Sequence, residues 1–204
     1  MNEKNNENGP SPWISTFTGK KYHYFDPQPE MICLEDIAHA LSNMCRFTGH
    51  VREFYSVAEH SVHAARVIED PKLRKFALMH DAAEAYMVDI PRPFKPHLHI
   101  HMPTPEGLTV VPYKAMEEAT MLAIADALGF KWRKHKEVKA VDNRLLATEW
   151  RALIGDRWEG PIPGGIVECG EPYPELQRTL STSTMMPRDA EASFLLEAER
   201  VLSE

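Results

Sequence analysis

The stretch Phe76-Ala77-Leu78-Met79-His80-Asp81-Ala82-Ala83-Glu84-Ala85-Tyr86 constrains this chain more than any other. Its apolar and small residues predict a buried helix, yet it carries His80, Asp81 and Glu84. Burying such groups costs several kcal/mol unless something pairs with them. A metal ion satisfies a neutral His and an ionised Asp side by side. Adjacent helix residues point about 100° apart, so this pair flanks an ion lying over the helix. Further ligands must come from elsewhere.

Counting locates one of them. Asp70-Pro71 reads as an N-cap followed by proline at the first helical position, so a new helix starts there. Val57 to Ile68 before it also has helical spacing, with Val57, Ala58, Ser61, Val62 and Ala65 on one stripe. Two helices joined by so short a turn run antiparallel. His60 lies ten residues before Asp70 and His80 ten after it. At ~1.5 Å per residue both stand at the same level of the hairpin. His60 therefore faces the ion that His80 and Asp81 face. Glu84 lies on the same face one turn on.

A fourth ligand should be a carboxylate or histidine from a later helix. Val138 to Trp150 has helical spacing with Val138, Val141, Leu145 and Leu146 as its core face. Asp142 stands at the edge of that face, one short charge among apolar neighbours.

His60, then His80-Asp81, then Asp142 resembles the H…HD…D signature of the HD-domain metal-dependent phosphohydrolases. Three longer segments sharpen the resemblance: Ser56-Val57-Ala58-Glu59-His60-Ser61, His80-Asp81-Ala82-Ala83-Glu84 and Asp89-Ile90-Pro91-Arg92-Pro93-Phe94-Lys95. They look like bacterial 5′-deoxynucleotidases and the phage and prophage deoxynucleotide hydrolases, dATP triphosphohydrolases among them. The resemblance covers about residues 13–150.

The resemblance implies a mainly α, HD-type helical bundle that hydrolyses phosphoester bonds in 2′-deoxynucleotides. His60, His80, Asp81 and Asp142 would hold a divalent transition metal. Two histidines and two carboxylates suit Mn, Co, Zn, Fe or Ni alike. Glu84 would orient the attacking water or take its proton. Arg46 would contact substrate phosphate, as a guanidinium suits phosphate oxygens, and Phe47 would border the base or sugar. Without the family, Arg46 reads as a surface charge. Asp89 is a candidate for positioning water or substrate, against the plainer role of capping its loop. Lys95 is a candidate for meeting phosphate. A homo-oligomer, dimer or hexamer, is implied as well. Monophosphate and triphosphate cleavage use the same core residues, so the motifs do not separate them.

In chain order, residues 1–12 predict a disordered lead-in and 13–204 a single domain. Residues 13–25 predict a short β-hairpin. Glu35-Asp36 open a helix with Ile37, Ala38 and Leu41 on its core face. Residues 89–112 hold six prolines and predict a punctuated loop walling the site. His97, His99 and His101 on it are either extra metal ligands or, the more ordinary reading, a polar exposed tip. His63, one turn after His60, reads as exposed or packed. Helices are expected over 113–128, 137–154 and 188–202, with an irregular Gly- and Pro-rich excursion over 155–187. Gly164-Gly165 there lacks the strand-to-helix context of a phosphate loop.

Composition excludes several classes. A net charge of −7 argues against broad binding of polymeric nucleic acid. A small anionic nucleotide remains compatible, because a metal and a few cations invert the field inside a pocket. Cys33, Cys45 and Cys169 form no CxxC pair, which suits a reducing cytoplasm. The polar N-terminus lacks the apolar core of a signal peptide, and no stretch approaches the ~18 apolar residues of a membrane span. Two rivals remain: an HD-fold di-iron oxygenase, using histidines between the HD pair and Asp142, and a non-catalytic nucleotide-binding module.

Overall fold

The computed structural model describes residues 12–104 and 106–203. Of the expected disordered lead-in, residues 1–11 lie outside the described residues, and Pro12 accepts the Tyr24 N–H at 3.1 Å. The architecture is mainly α with a short N-terminal β-hairpin.

That hairpin pairs β1 (Trp13–Ser15) antiparallel with β2 (Lys21–His23). Gly19 turns it at φ 84°, a conformation that suits a residue without Cβ. Tyr22 fastens the hairpin to the body: its ring stacks on Tyr86 at 4.3 Å, and its hydroxyl lies 2.7 Å from Thr120 Oγ1.

Helix α1 (Leu34–Asn43) leads by way of Arg46 to α2 (Val57–Val67), which Ser56 caps by accepting the Glu59 N–H at 3.0 Å. Asp70 accepts the Lys72 N–H at 3.0 Å and Pro71 starts a single 3-10 turn that feeds α3 (Arg74–Met79). The punctuation at Asp70-Pro71 thus makes the expected helical hairpin, with α2 packed on α3.

The helix expected to continue through Tyr86 does not. It gives way after Met79 to tight turns and resumes as α4 (Glu84–Met87). The N–H groups of Ala82, Glu84, Ala85 and Tyr86 each reach back three residues instead of four. His80 supplies a reason: its Nδ1 donates at 2.8 Å to the Ala77 carbonyl, which a regular helix would give to the Asp81 N–H.

The proline-rich stretch is also more regular than expected. β3 (His99–Thr104) and β4 (Gly107–Pro112) form a second antiparallel hairpin, with Thr104 opposite Gly107. An isolated two-stranded ribbon is edge on both sides, so Pro103 and Pro112 need not break a ladder bond. α5 (Tyr113–Ala127) then ends at Gly129, φ 74°, where the Phe130 N–H returns to the Ala125 carbonyl at 2.9 Å.

α6 (Lys136–Leu153) packs on α2 and carries Asp142. The excursion expected to be irregular holds two short helices, α7 (Gly164–Val167) and α8 (Pro174–Leu180). Pro174 and, in the closing helix α9 (Pro187–Leu202), Pro187 occupy first helical positions. There a proline starts a helix instead of stopping one. α9 lies across α1, α2 and α3. The core they share with α5 includes Ile37, Leu41, Val62, Leu78, Met79, Ile124 and Phe194. Each large apolar side chain so buried stabilises the fold by about 1.5–3 kcal/mol. Among the described residues, no helix is long and apolar enough to cross a membrane.

Candidate metal centre

The α2–α3 hairpin brings His60 Nε2 to 3.2 Å from His80 Nε2. Asp142 Oδ1 on α6 stands 3.5 Å from the first nitrogen and 3.8 Å from the second. Asp81 Oδ2 lies 3.7 Å and 3.2 Å from the same two nitrogens. His60, His80 and Asp142 offer three ligand atoms within 4.8 Å of one another, a group that can hold a metal ion.

The ring orientations test that reading. His60 Nδ1 faces the Glu149 carboxylate at 2.5 Å, and His80 Nδ1 faces the Ala77 carbonyl at 2.8 Å. Both Nδ1 atoms therefore donate, and the Nε2 lone pairs point at one another. Two lone pairs at 3.2 Å repel unless a cation or a proton lies between them. Two nitrogens each about 2.1 Å from one ion, at tetrahedral or right-angle geometry, stand about 3.0–3.4 Å apart. The donor set fits a metal ion.

Without an ion, protons do that work. Burial and the Arg46 charge oppose protonation of His60, but Glu149 and Asp142 outweigh them and raise its pKa. Burial opposes protonation of His80 too, and Asp81 with Asp142 raises it well above the ordinary value. Burial pushes the Asp142 carboxyl up, but the two histidines hold it well below the usual carboxylate range. Its other oxygen, Oδ2, accepts from Arg92 Nη2 at 3.1 Å and Lys139 Nζ at 2.6 Å, which fixes which oxygen faces the histidines.

Glu149, which the sequence reading missed, anchors the centre from behind. Fully buried, it accepts from His60, from Tyr55 Oη at 2.8 Å and from Arg46 Nε at 3.2 Å. Burial alone would raise its pKa; the Arg46 and His60 charges instead hold it at about 2. A carboxylate behind a ligating histidine fixes the tautomer and raises ligand basicity. The signal was available in spacing, because Glu149 follows Asp142 by seven residues, two turns along the same helix face.

Arg46 is buried, contrary to its bland reading as a surface charge. Its Nη2 meets Glu149 Oε2 at 3.1 Å and its Nη1 lies 3.8 Å from Asp81 Oδ2. The next two residues, Phe47 and Thr48, take left-handed conformations at φ 54° and 55°, uncommon without glycine. The Phe47 ring centroid lies 5.7 Å from the guanidinium.

Glu84 is 5% exposed; one oxygen receives Lys95 Nζ at 3.3 Å and the other, Oε2, has no hydrogen-bond partner. Burial first, then the Asp81 and Asp89 charges, push its pKa well above the ordinary value, and Lys95 pulls it back. Lys95 is shared with Glu117, 2.8 Å away. Asp89 is partly buried, its pKa raised by burial against the pull of Arg46. It follows Val88, whose φ of 72° is strained for a β-branched residue.

A cavity of about 470 Å³ opens beside the centre, lined by His80, Asp81, Glu84, Lys95 and Asp142 at one part and by Phe76, Trp132 and His135 at another. Arg46, Phe47 and Asp89 do not line it. His97, His99 and His101 are exposed, on a 3-10 turn and on β3, and take no part in the His60–His80–Asp142 group. His63 stacks on Tyr55, with Nε2 3.6 Å from Glu59.

No family model matches the chain. It is similar to the uncharacterized protein YfdR of Escherichia coli (strain K12), 42% identical over 156 residues, 76% of this chain and 80% of that one. An uncharacterized protein of Rhodobacter capsulatus is 34% identical over 91 residues, 41% of this chain and 46% of its own length.

Proposed function

The chain belongs to the family of Escherichia coli YfdR, and we propose that it is a metal-dependent phosphohydrolase of the HD type acting on 2′-deoxynucleotides. One observation carries the reading: two histidines whose Nδ1 atoms are both occupied as donors aim their Nε2 lone pairs at one point, 3.2 Å apart, beside Asp81 and Asp142. The resemblance of residues 56–61, 80–84 and 89–95 to deoxynucleotide hydrolases supplies the substrate class.

His60, His80 and Asp142, with Asp81 beside them, would hold a divalent transition metal. When bound, such an ion supplies a Lewis acid for the phosphoryl oxygen and for the attacking water. Glu84 receives the proton of that water. Its Oε2 has no hydrogen-bond partner, and burial with the Asp81 and Asp89 charges raises its pKa, the pattern of a carboxyl tuned for proton transfer. Lys95 offsets charge building on the phosphoryl oxygens and holds Glu84 in position. Arg46, buried and outside the cavity lining, contributes its charge from the Asp81 side while holding Glu149. Asp89 assists from the turn after Val88. A small-molecule nucleotide is the substrate, and a homo-oligomer in the cytoplasm is the expected state.

The exposed positions of His97, His99 and His101 favour hydrolysis over the di-iron reading, which needs further histidines at the centre. The test is a screen of purified protein against deoxy- and ribonucleoside mono-, di- and triphosphates with Mn, Co, Zn, Fe and Ni. Phosphate or pyrophosphate or triphosphate release that requires both metal and a deoxynucleotide is expected. Metal binding with no release from any nucleotide would overturn the proposal.

A further inference from the structure

We infer that the aromatic part of the cavity beside the metal centre, formed by Phe76, Trp132 and His135, is the seat of a nucleobase. The inference rests on the nucleotide reading above and adds to it where the base lies and which residues select for it.

The first support is continuity. One cavity of about 470 Å³ is lined both by His80, Asp81 and Asp142 and by the three aromatic rings, so one occupant can span both. That volume falls within the ~300–1,000 Å³ typical of small-molecule sites, which suits one nucleotide.

The rings themselves form a wall. Phe76 and His135 stand with centroids 4.4 Å apart, and Phe76 and Trp132 6.3 Å apart. Trp132 and His135 lie on the connection between α5 and α6, outside regular secondary structure. A planar heterocycle stacks on such faces whatever its identity.

Hydrogen bonding points the same way. Trp132 Nε1 and His135 Nε2 are buried with no hydrogen-bond partner, although buried polar atoms of this kind ordinarily have one. An indole N–H only donates. A nucleobase carries ring nitrogens and exocyclic oxygens that accept.

Charge along the cavity is mixed, with the carboxylates of Asp81, Glu84, Glu117, Glu118 and Asp142 among the lysines and Arg133. Lys114 and Lys136 line it, and among the described residues neither has an ion-pair partner. Phe47, which the family resemblance places beside the base or sugar, does not line this cavity, so the stacking role falls to the wall.

The test uses Mn²⁺-loaded protein and ligands with no phosphate to cleave: the four 2′-deoxynucleosides, with 2-deoxyribose as the base-free control. Calorimetric titration should show saturable binding of at least one deoxynucleoside and none of deoxyribose. Trp132→Ala should weaken that binding roughly 10- to 100-fold, and Trp132→Phe, which keeps a stacking face but loses the N–H donor, should weaken it by less than Trp132→Ala does. Melting temperatures check that each variant is folded; should Trp132→Ala fail to fold, His135→Ala carries the same expectation. Unchanged deoxynucleoside affinity in a folded Ala variant, or no deoxynucleoside binding by the parent, overturns the inference. Deoxynucleotide hydrolysis on the same preparations separates the two readings. Hydrolysis without base-dependent binding sinks the wall and leaves the phosphohydrolase; base-dependent binding without hydrolysis does the reverse.

Discussion

Glu149 Oε1 stands 2.5 Å from His60 Nδ1, with both side chains fully buried. The contact decides which nitrogen of His60 is left to bind an ion. It also joins the metal centre to Arg46 and Tyr55, which share the same carboxylate.

Replacing Glu149 by Gln should therefore act on two quantities. Metal affinity should fall about 10- to 100-fold, the usual effect of losing the group behind a ligating histidine. Unfolding free energy should fall by up to about 3–5 kcal/mol, because buried Arg46 keeps only the more distant Asp81, 3.8 Å away, as counter-charge. Competition with a chromophoric chelator measures the first and urea denaturation the second. Parental affinity in the variant would leave Glu149 a purely structural residue.

The same carboxylate sets an acid limit. Its pKa is held at about 2 against an ordinary 4.5, so the folded state binds fewer protons than the unfolded one between those values. The stability it contributes is complete above pH 4.5 and is lost as pH falls towards 2. Denaturation of metal-free protein across that window should show a slope that Glu149→Gln flattens. Equal slopes in the two proteins would contradict the assignment.

His80→Ala and Asp81→Ala should each abolish stoichiometric metal binding. Metal that binds only the folded parent stabilises it by about 2.7 kcal/mol at a hundredfold excess over Kd. The parent's melting temperature should therefore rise with added metal while those of the variants do not. Elemental analysis and thermal scans check both points, and unchanged metal content in either variant would remove that residue from the ligand set.

Much of this site was legible because it depends on counting. Asp70-Pro71 marked the hairpin turn, and equal spacing to His60 and His80 then placed both rings at one level, where they stand. Asp142 showed itself as a lone charge beside an apolar helix face. What escaped were features set by ring orientation and edge position. The break after Met79 depends on His80 Nδ1 taking the Ala77 carbonyl, which no periodicity reveals. The β3–β4 hairpin was masked by prolines that read as breakers but lie on a ribbon with two free edges. Pro174, inside the stretch expected to be irregular, likewise starts a helix. Arg46 looked like a surface charge because its partner, Glu149, is 103 residues away.

Substrate choice gives a further expectation. Turnover should be greater on 2′-deoxynucleotides than on the matching ribonucleotides, and negligible on single-stranded DNA. The deoxynucleotide-hydrolase resemblance motivates the first part; the net charge of −7 and a cavity sized for one nucleotide motivate the second. Equal rates on ribo- and deoxy-substrates, or efficient degradation of the polymer, would contradict it.

The most direct test of the central claim is Glu84→Gln, with metal content, nucleotide affinity and turnover measured on one preparation. The substitution keeps the shape and removes the base, and Glu84 is one turn beyond the His80-Asp81 pair. Metal content and nucleotide affinity should stay near those of the parent, while turnover falls roughly 10²–10⁴-fold, the usual contribution of general acid–base catalysis. Near-parental turnover in a metal-loaded Glu84→Gln protein, or loss of the metal itself, would contradict the account.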